Sequence, residues 1–372
     1  MAKRERKKGR GKKIAIAILC IFLAIIIGAY AILSAYWKRI TTAPPAVKDT
    51  LTYDFDEDET IPVTFADDPV FDEIYEGDAS EFKAAIKEWA TNDADIMYSN
   101  NVINVLCIGV DTRNENTIHG LTDSMIICSV NTERGEVTFT SVMRDSFAYL
   151  ESPEGYSVFN KINSAFPFYG IDSLINTVES HFKVRIDGYA MINFALFKAV
   201  IDKFDGVNVY VDETMASHLQ SSYGFDVEAG NSVCLNGDQA LAYCRSRKIY
   251  FDGDVSRTAN QRRVLLGLLK KATTIKTSEV ADYVELVMPY LETSYTEAEV
   301  LSLATKAVVG GWASFDVNQL CLPDEASREG YSGEMWYWKV DYPLAAQTLQ
   351  EAIYGETNIV LEEDRVSPLD LD

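Results

Sequence analysis

Hydrophobic and polar positions divide the chain into unlike parts. Ile14–Tyr36 is a run of 23 residues without a charge. As a helix it measures about 34 Å, enough to cross a hydrocarbon core of about 30 Å. Eight basic residues between Lys3 and Lys13 precede it, which by the positive-inside rule predicts a cytoplasmic N-terminus and everything after Trp37 outside. Ala29-Tyr30-Ala31 resembles a signal-peptide cleavage site, but the apolar run is longer than a signal peptide needs. A single-pass anchor in the cell membrane, carrying an extracellular domain, is expected.

Beyond the anchor, Pro44-Pro45 and an acidic stretch around Asp54–Glu59 read as a tether, followed by a helix over Ser80–Thr91. From Asn101 the texture changes. Val102–Val110 and Ser124–Val130 are almost wholly apolar, as central strands covered on both faces should be, and Glu136–Met143 follows a turn at Asn131–Gly135. Helical spacing marks Ile171–Phe182, Phe194–Phe204, a long helix from about Arg257 to Lys271, and Val280–Tyr290, Thr296–Val309 and Pro343–Ile353. Val207–Val211 alternates as a strand. Strands alternating with helices predict an α/β fold, a central mixed β-sheet with helices on both faces. The expected organisation is a basic tail (1–13), a transmembrane helix (14–36), a tether with a small accessory region (37–99), one large domain (100–356) and an acidic tail (357–372).

Charge sharpens this division. The chain carries 34 Lys+Arg and 56 Asp+Glu, a net −22. Residues 1–39 hold ten basic side chains and only Glu5, so residues 40–372 hold 24 and 55, or −31. Such a domain excludes general nucleic-acid binding. Five cysteines lie outside the span. Cys107 and Cys128 sit in apolar strands as free thiols would, Cys234 and Cys244 could pair, and no disulfide framework is indicated. There is no P-loop, no G-x-S-x-G elbow, no H-E-x-x-H and no C-x-x-C, and His119, His181 and His218 are scattered.

What recurs is arginine near carboxylates at the ends of elements. Gly109-Val110-Asp111-Thr112-Arg113 closes the first strand and Leu121-Thr122-Asp123-Ser124 opens the second. Two carboxylates facing one pocket would suit Mg²⁺, while Asp is equally at home in turns and caps. Ser141-Val142-Met143-Arg144-Asp145 ends a strand with an Arg that could equally be a surface ion pair. In Tyr243-Cys244-Arg245-Ser246-Arg247 an extended backbone would aim both arginines one way, a fork suited to phosphate oxygens. In Asp254–Gln261, Ser256 reads as an N-cap, with Arg257 and Gln261 one turn apart at a helix N-terminus that favours anions. Together these clusters predict a local anion site in an acidic domain.

Those segments, with Lys161-Ile162-Asn163-Ser164-Ala165-Phe166 and Leu235-Asn236-Gly237-Asp238-Gln239-Ala240-Leu241-Ala242-Tyr243 leading into Arg245-Ser246-Arg247, occur in an order that resembles the LytR-CpsA-Psr family of Gram-positive envelope proteins over roughly Asn101–Gly355. The resemblance implies an extracytoplasmic phosphotransferase moving a phosphorylated glycopolymer (teichoic acid, capsule or a related polymer) from a polyprenyl-pyrophosphate carrier to a peptidoglycan hydroxyl. It implies that Asp111 and Asp123 bind Mg²⁺ or Mn²⁺, that Arg144, Arg245, Arg247 and Arg257 grip the pyrophosphate, that Gln261 lines the head-group site and that Asp254 orients the arginines. Many relatives have an Arg where this chain has Leu121, which leaves the head-group clamp one cation short unless Arg113 replaces it. A lipid carrier also needs an apolar groove, for which Phe182, Ile192, Phe194, Phe197, Val200, Ile201 and Phe204 serve as well as for ordinary core. Tyr331, Trp336, Tyr337 and Trp338 fit either sugar stacking or a packed C-terminal strand. A pyrophosphatase and a non-catalytic lipid-pyrophosphate sensor are the alternative classes.

Overall fold

The computed structural model describes residues 80–92, 94–111, 121–247, 249–250, 253–272, 292–296, 299, 303, 312–332 and 335–371. The basic tail, the expected membrane span, the tether to residue 79, Arg113, the helix expected over Val280–Tyr290 and most of that over Thr296–Val309 lie outside these residues. In chain order the elements are α1 (Ser80–Thr91), β1 (Val102–Asp111), β2 (Leu121–Asn131), β3 (Glu136–Val142), β4 (Phe147–Glu151), β5 (Ser157–Lys161), α2 (Ala165–Tyr169), α3 (Ile171–Phe182), β6 (Gly188–Asn193), α4 (Phe194–Lys203), β7 (Val207–Val211), α5 (Glu213–Tyr223), β8 (Gly230–Leu235), α6 (Gly237–Arg245), α7 (Asp254–Ala272), β9 (Glu292–Thr293), β10 (Asp316–Leu322), β11 (Arg328–Ser332), β12 (Trp336–Val340) and α8 (Tyr342–Tyr354).

Among the described residues, β10-β3-β2-β1-β6-β9 form a six-stranded mixed sheet. The tight turn after Asn131 makes β2 and β3 antiparallel neighbours, whereas β6 returns parallel to β1 after the helical crossover through α2 and α3. Both faces of this sheet are covered. Val142 belongs to a core shared with Leu106 and Ile108 of β1, Val178 and Phe182 of α3, and Leu349 and Ile353 of α8. Ser141, one residue earlier and so on the opposite face, accepts a 2.6 Å hydrogen bond from Arg262 Nη1 of α7. A second core joins α4, α6 and α7 to the antiparallel β7–β8 pair through Ile201, Val207, Leu235, Tyr243 and Val264.

Several expectations need correction. The segments placed outside the large domain pack onto it. Phe82 and Ile86 of α1 are fully buried in the first core, because their spacing of four puts both on one helix face. The acidic tail folds back: Arg365 Nη2 lies 2.6 Å from Asp341 Oδ2, Ser367 donates to the same carboxylate, and Leu371 packs against the core. β2 begins three residues before Ser124, so Asp123 lies within the strand. α7 begins at Asp254, where Gly253 O accepts the Arg257 N–H, so Ser256 is inside the first turn and not its cap. Phe182 and Ile201 are fully buried, in keeping with the ordinary-core reading. The cysteines among the described residues are free: Cys234 is exposed, with its thiol donating to Asp205 O, and Cys244 is buried.

His181 is structural. Its Nε2 accepts from the Tyr149 N–H at 3.2 Å and Nδ1 donates to Thr177 O at 2.8 Å, so the ring is a neutral tie between α3 and β4. Burial holds its pKa down at about 3.

Candidate functional site

The site lies where β1, β2 and β3 end together. Between Gly109 and Val110 the β1–β2 register shifts, pairing Gly109 with Ser124 but Val110 with Thr122. Asp123 is the extra residue of this bulge, a device that re-aims a side chain. β3 ends at Val142, and the turn that follows carries Arg144 back over the bulge. Arg144 Nη1 donates to Asp123 Oδ1 at 2.5 Å. Its Nε lies 3.5 Å from Asp145 Oδ2 and 3.8 Å from Asp254 Oδ1. Asp254, in the first turn of α7, also meets Arg257 Nη2 at 2.6 Å, and Lys161 at the end of β5 holds Asp145 Oδ1 at 2.8 Å.

Three cations (Arg144, Lys161, Arg257) and three carboxylates (Asp123, Asp145, Asp254) thus form one mostly buried cluster. Burial pulls the Arg144 guanidinium down, but Asp123, Asp145 and Asp254 outweigh it and hold its pKa above the arginine norm. Burial likewise opposes ionisation of Asp145, and Arg144 and Lys161 overcome it. At Asp254 burial wins over Arg257 and Arg144, and its pKa is raised; burial lowers that of Arg257. The 2.6 Å Arg257–Asp254 contact is an ion pair without the angle of a hydrogen bond. Both Asp254 oxygens, Arg144 Nε, and Arg257 Nε and Nη2 are buried with no hydrogen-bond partner. Native interiors seldom leave such groups unmatched, and a cluster of them calls for a water, an ion or a polar ligand to complete the bonding.

Asn163 holds the site's floor. Its N–H donates to Arg144 O at 3.3 Å, Thr122 Oγ1 donates to Asn163 O at 3.1 Å, and its own buried Oδ1 has no partner. Lys161 and Asn163 belong to a quoted motif, yet sequence reasoning gave neither a role. Register was the available signal. Met125 pairs with Val142 in β2–β3, and carrying that pairing two residues further sets position 123 opposite 144 and therefore beside the β5 end.

Arg245 and Arg247 do not form the expected extended fork. Arg245 is the last residue of α6 and exposed, its guanidinium 5.1 Å over the half-buried Phe194 ring; the backbone becomes extended only at Ser246. The pair straddles a helix end beside the cluster. Asn260 of α7 donates to Tyr243 O, and a side chain added at Gly253 would meet Arg247 O at 3.3 Å. The preceding motif is largely architectural. Asn236 and Gln239 form a reciprocal capping box, while Leu235, Ala240 and Tyr243 are core. Gly237 passes so close to α4 that a Cβ would lie 2.6 Å from Lys198 O. Gln261 follows Arg257 by one turn and is half-buried. The side chains of Asp111 and Leu121 lie outside the described set; the backbone pairs these two residues, two positions from Asp123. Carboxylate oxygens at Asp111 and Asp123 are of the donor type a small hard cation takes together with phosphate oxygens. Among the described residues no group of three or more His, Cys, Asp and Glu could hold a metal ion.

A sequence model described as the LytR_cpsA_psr family matches residues 72–353. A Bacillus anthracis protein named polyisoprenyl-teichoic acid–peptidoglycan teichoic acid transferase TagU is 29% identical over 202 residues, covering 54% of this chain and 63% of that protein. The protein of the same name from Enterococcus faecalis is 30% identical over 184 residues, 49% of this chain and 57% of its own length. The match therefore spans less than two thirds of these relatives. Among solved structures, a Streptococcus agalactiae protein superposes with a TM-score of 0.59 at 23% identity, covering 71% of this chain and 94% of that one. B. subtilis TagT gives 0.53 at 21% identity, covering 70% and 95%. At these identities the likeness concerns the fold.

Proposed function

The chain belongs to the LytR_cpsA_psr family, and on that premise we propose that it is an extracytoplasmic, membrane-anchored phosphotransferase that moves a phosphorylated glycopolymer from a polyprenyl-pyrophosphate carrier to a peptidoglycan hydroxyl. The observation that carries this reading is the set of buried, unpartnered guanidinium N–H groups on Arg144 and Arg257, converging beside Asp123. Pyrophosphate oxygens are acceptors of the right charge and fork geometry for them. The name of the TagU relatives supports the glycopolymer and the acceptor.

In the proposed reaction the acceptor hydroxyl oxygen bonds to the phosphorus attached to the glycopolymer. The bond from that phosphorus to the bridging oxygen breaks, polyprenyl phosphate leaves, and the hydroxyl proton passes to a base, a role open to whichever of Asp111 and Asp123 keeps an oxygen uncommitted to the metal. Arg144 and Arg257 offset the charge that develops on the bridging and non-bridging oxygens, and Asp254 fixes the two guanidiniums relative to each other. Arg245 and Arg247 stand at the margin, and the half-buried Phe194, Phe197 and Val200 on α4 give the prenyl chain an apolar approach next to Arg245. Asp111 and Asp123 would hold Mg²⁺ or Mn²⁺, which when bound neutralises pyrophosphate charge.

The test is transfer by the purified full chain in detergent micelles, given a lipid-pyrophosphate oligosaccharide, Mg²⁺ and peptidoglycan fragments. The wild type yields a glycan–peptidoglycan product. Arg257→Ala yields none while its near-ultraviolet circular dichroism stays native. Product formation by Arg257→Ala at the wild-type rate refutes the assignment; release of phosphate without a glycan adduct would make the protein a pyrophosphatase instead.

A further inference from the structure

Arg245 and Arg247 lie between two tyrosines tied to one corner of the second core. Tyr243, buried near the end of α6, donates its hydroxyl to Tyr210 O of β7 at 2.8 Å. Tyr250, half-buried beyond Arg247, donates to Asp212 Oδ2 at 2.6 Å. Tyr210 and Asp212 are two residues apart, where β7 gives way to α5. The two arginines therefore sit on a short length of chain held on either side. The corner is itself well anchored. Asp212 Oδ1 caps α5 by accepting the Met215 N–H at 2.8 Å, and Met215 is buried in the second core with Val209 and Val211. One carboxylate serves the helix with one oxygen and the loop with the other.

Tyr250 also leads into α7. Its carbonyl accepts the Gly253 N–H at 3.2 Å, and Gly253 O accepts the Arg257 N–H at 3.1 Å. Gly253 takes a φ of +41°, and a side chain there would meet Arg247 O at 3.3 Å, so the loop closes back on the arginine segment. The Asp254–Arg257 pair follows directly. The Tyr250 ring packs at the edge of the second core, a task a phenylalanine ring would also perform. What the hydroxyl adds is a bond to a carboxylate, which fixes where the loop stands.

We propose that Tyr250 is a positioning residue for the pyrophosphate site: its hydroxyl, through Asp212, presets both the Arg245–Arg247 segment and the first turn of α7 before the carrier arrives. This rests on the phosphotransferase reading. A loop that is ordered only on binding loses affinity to the entropy of ordering, and a loop already held in place does not.

The experiment is titration calorimetry of geranyl pyrophosphate with the purified full chain in detergent micelles containing Mg²⁺, alongside urea unfolding. The wild type binds. Tyr250→Phe, which keeps the ring, raises Kd about fivefold. Asp212→Ser keeps an N-cap but is too short to serve the phenol as well; it raises Kd by the same factor, and the double variant raises it no further. A role confined to stability would lower the urea midpoint and leave Kd without urea unchanged. An unchanged Kd in Tyr250→Phe, or factors that multiply in the double variant, overturns this inference alone. A wild type that does not bind geranyl pyrophosphate overturns the phosphotransferase reading together with it.

Discussion

Replacing Arg144 by Met tests the central electrostatic argument. The substitution keeps much of the side-chain volume but removes the cation between Asp123, Asp145 and Asp254, which lie 2.5, 3.5 and 3.8 Å from its nitrogens. With an effective dielectric constant near 20 the gross attractions are about 7, 5 and 4 kcal/mol. The cost of burying the guanidinium cancels most of this, so the net loss expected is that of breaking a buried ion pair from one side, about 3–5 kcal/mol at pH 7.5. The pH dependence gives the sharper reading. In the wild type Arg144 and Lys161 hold Asp145 below its ordinary value of 3.8, so the stability it contributes is present above that value and is lost as pH falls through the lowered one. Without Arg144 the facing carboxylates repel, and the pKa values of Asp145 and Asp254, both of which Arg144 lowers, rise. The variant's deficit is then largest above the raised values and shrinks as pH falls toward about 4.5, because protonation relieves the repulsion. Urea unfolding of the full chain in micelles, followed by near-ultraviolet circular dichroism between pH 4.5 and 8, measures both effects. A deficit below about 1 kcal/mol, or one that does not shrink on acidification, refutes the picture of Arg144 as the keystone of the cluster.

His181 predicts a second acid dependence. Its folded pKa near 3 lies below the ordinary 6.5, so its contribution is intact above 6.5 and declines as pH drops toward 3; by pH 4 the loss is about 3 kcal/mol. His181→Gln should flatten the urea-midpoint slope between pH 6.5 and 4, and an unchanged slope would assign it elsewhere. Gly237→Ala should cost about 1–3 kcal/mol and lower transfer as well, since the new methyl meets the α4 backbone and displaces the helix that ends in Arg245. A neutral urea midpoint for this variant would contradict the close approach of α4 and α6.

What the sequence made legible followed periodicity. The continuous apolar run from Val102 and the helical spacing of Ile171–Phe182 came through because burial on one or both faces wrote them into residue type. The failures occurred where local chemistry and tertiary role diverge. Asp123 is the kind of residue that serves in turns and caps, yet it is the extra residue of a bulge inside the strand that this segment opens. Asp254 looks like part of a turn, yet it opens α7, where an acidic residue suits the helix dipole and pairs with Arg257 one turn on. β8 was missed because only Leu235 of its six residues is buried, so no apolar run announces it. The C-terminal aromatics were legible only as a cluster: the β11–β12 register separates Tyr331 and Tyr337 from Trp336 and Trp338, and no spacing rule states that register.

The proposed function requires so acidic a domain to hold a pyrophosphate, and the cluster suggests how. Arg144, Lys161 and Arg257 are matched one for one by Asp123, Asp145 and Asp254, so the buried site offers no surplus positive charge. It offers direction. Arg144 Nε and Arg257 Nε and Nη2 are fixed by carboxylates that balance their charge without closing hydrogen bonds to those nitrogens. An acceptor arriving there gains charge-assisted bonds already oriented, and the desolvation cost of the guanidiniums was met on folding. Long-range attraction would fail against a field of −31 in any case. Recognition of this kind suits the proposed lipid carrier, confined to the membrane in which the expected span would sit, where encounter does not depend on electrostatic steering and discrimination rests on the geometry of two arginines held by one aspartate.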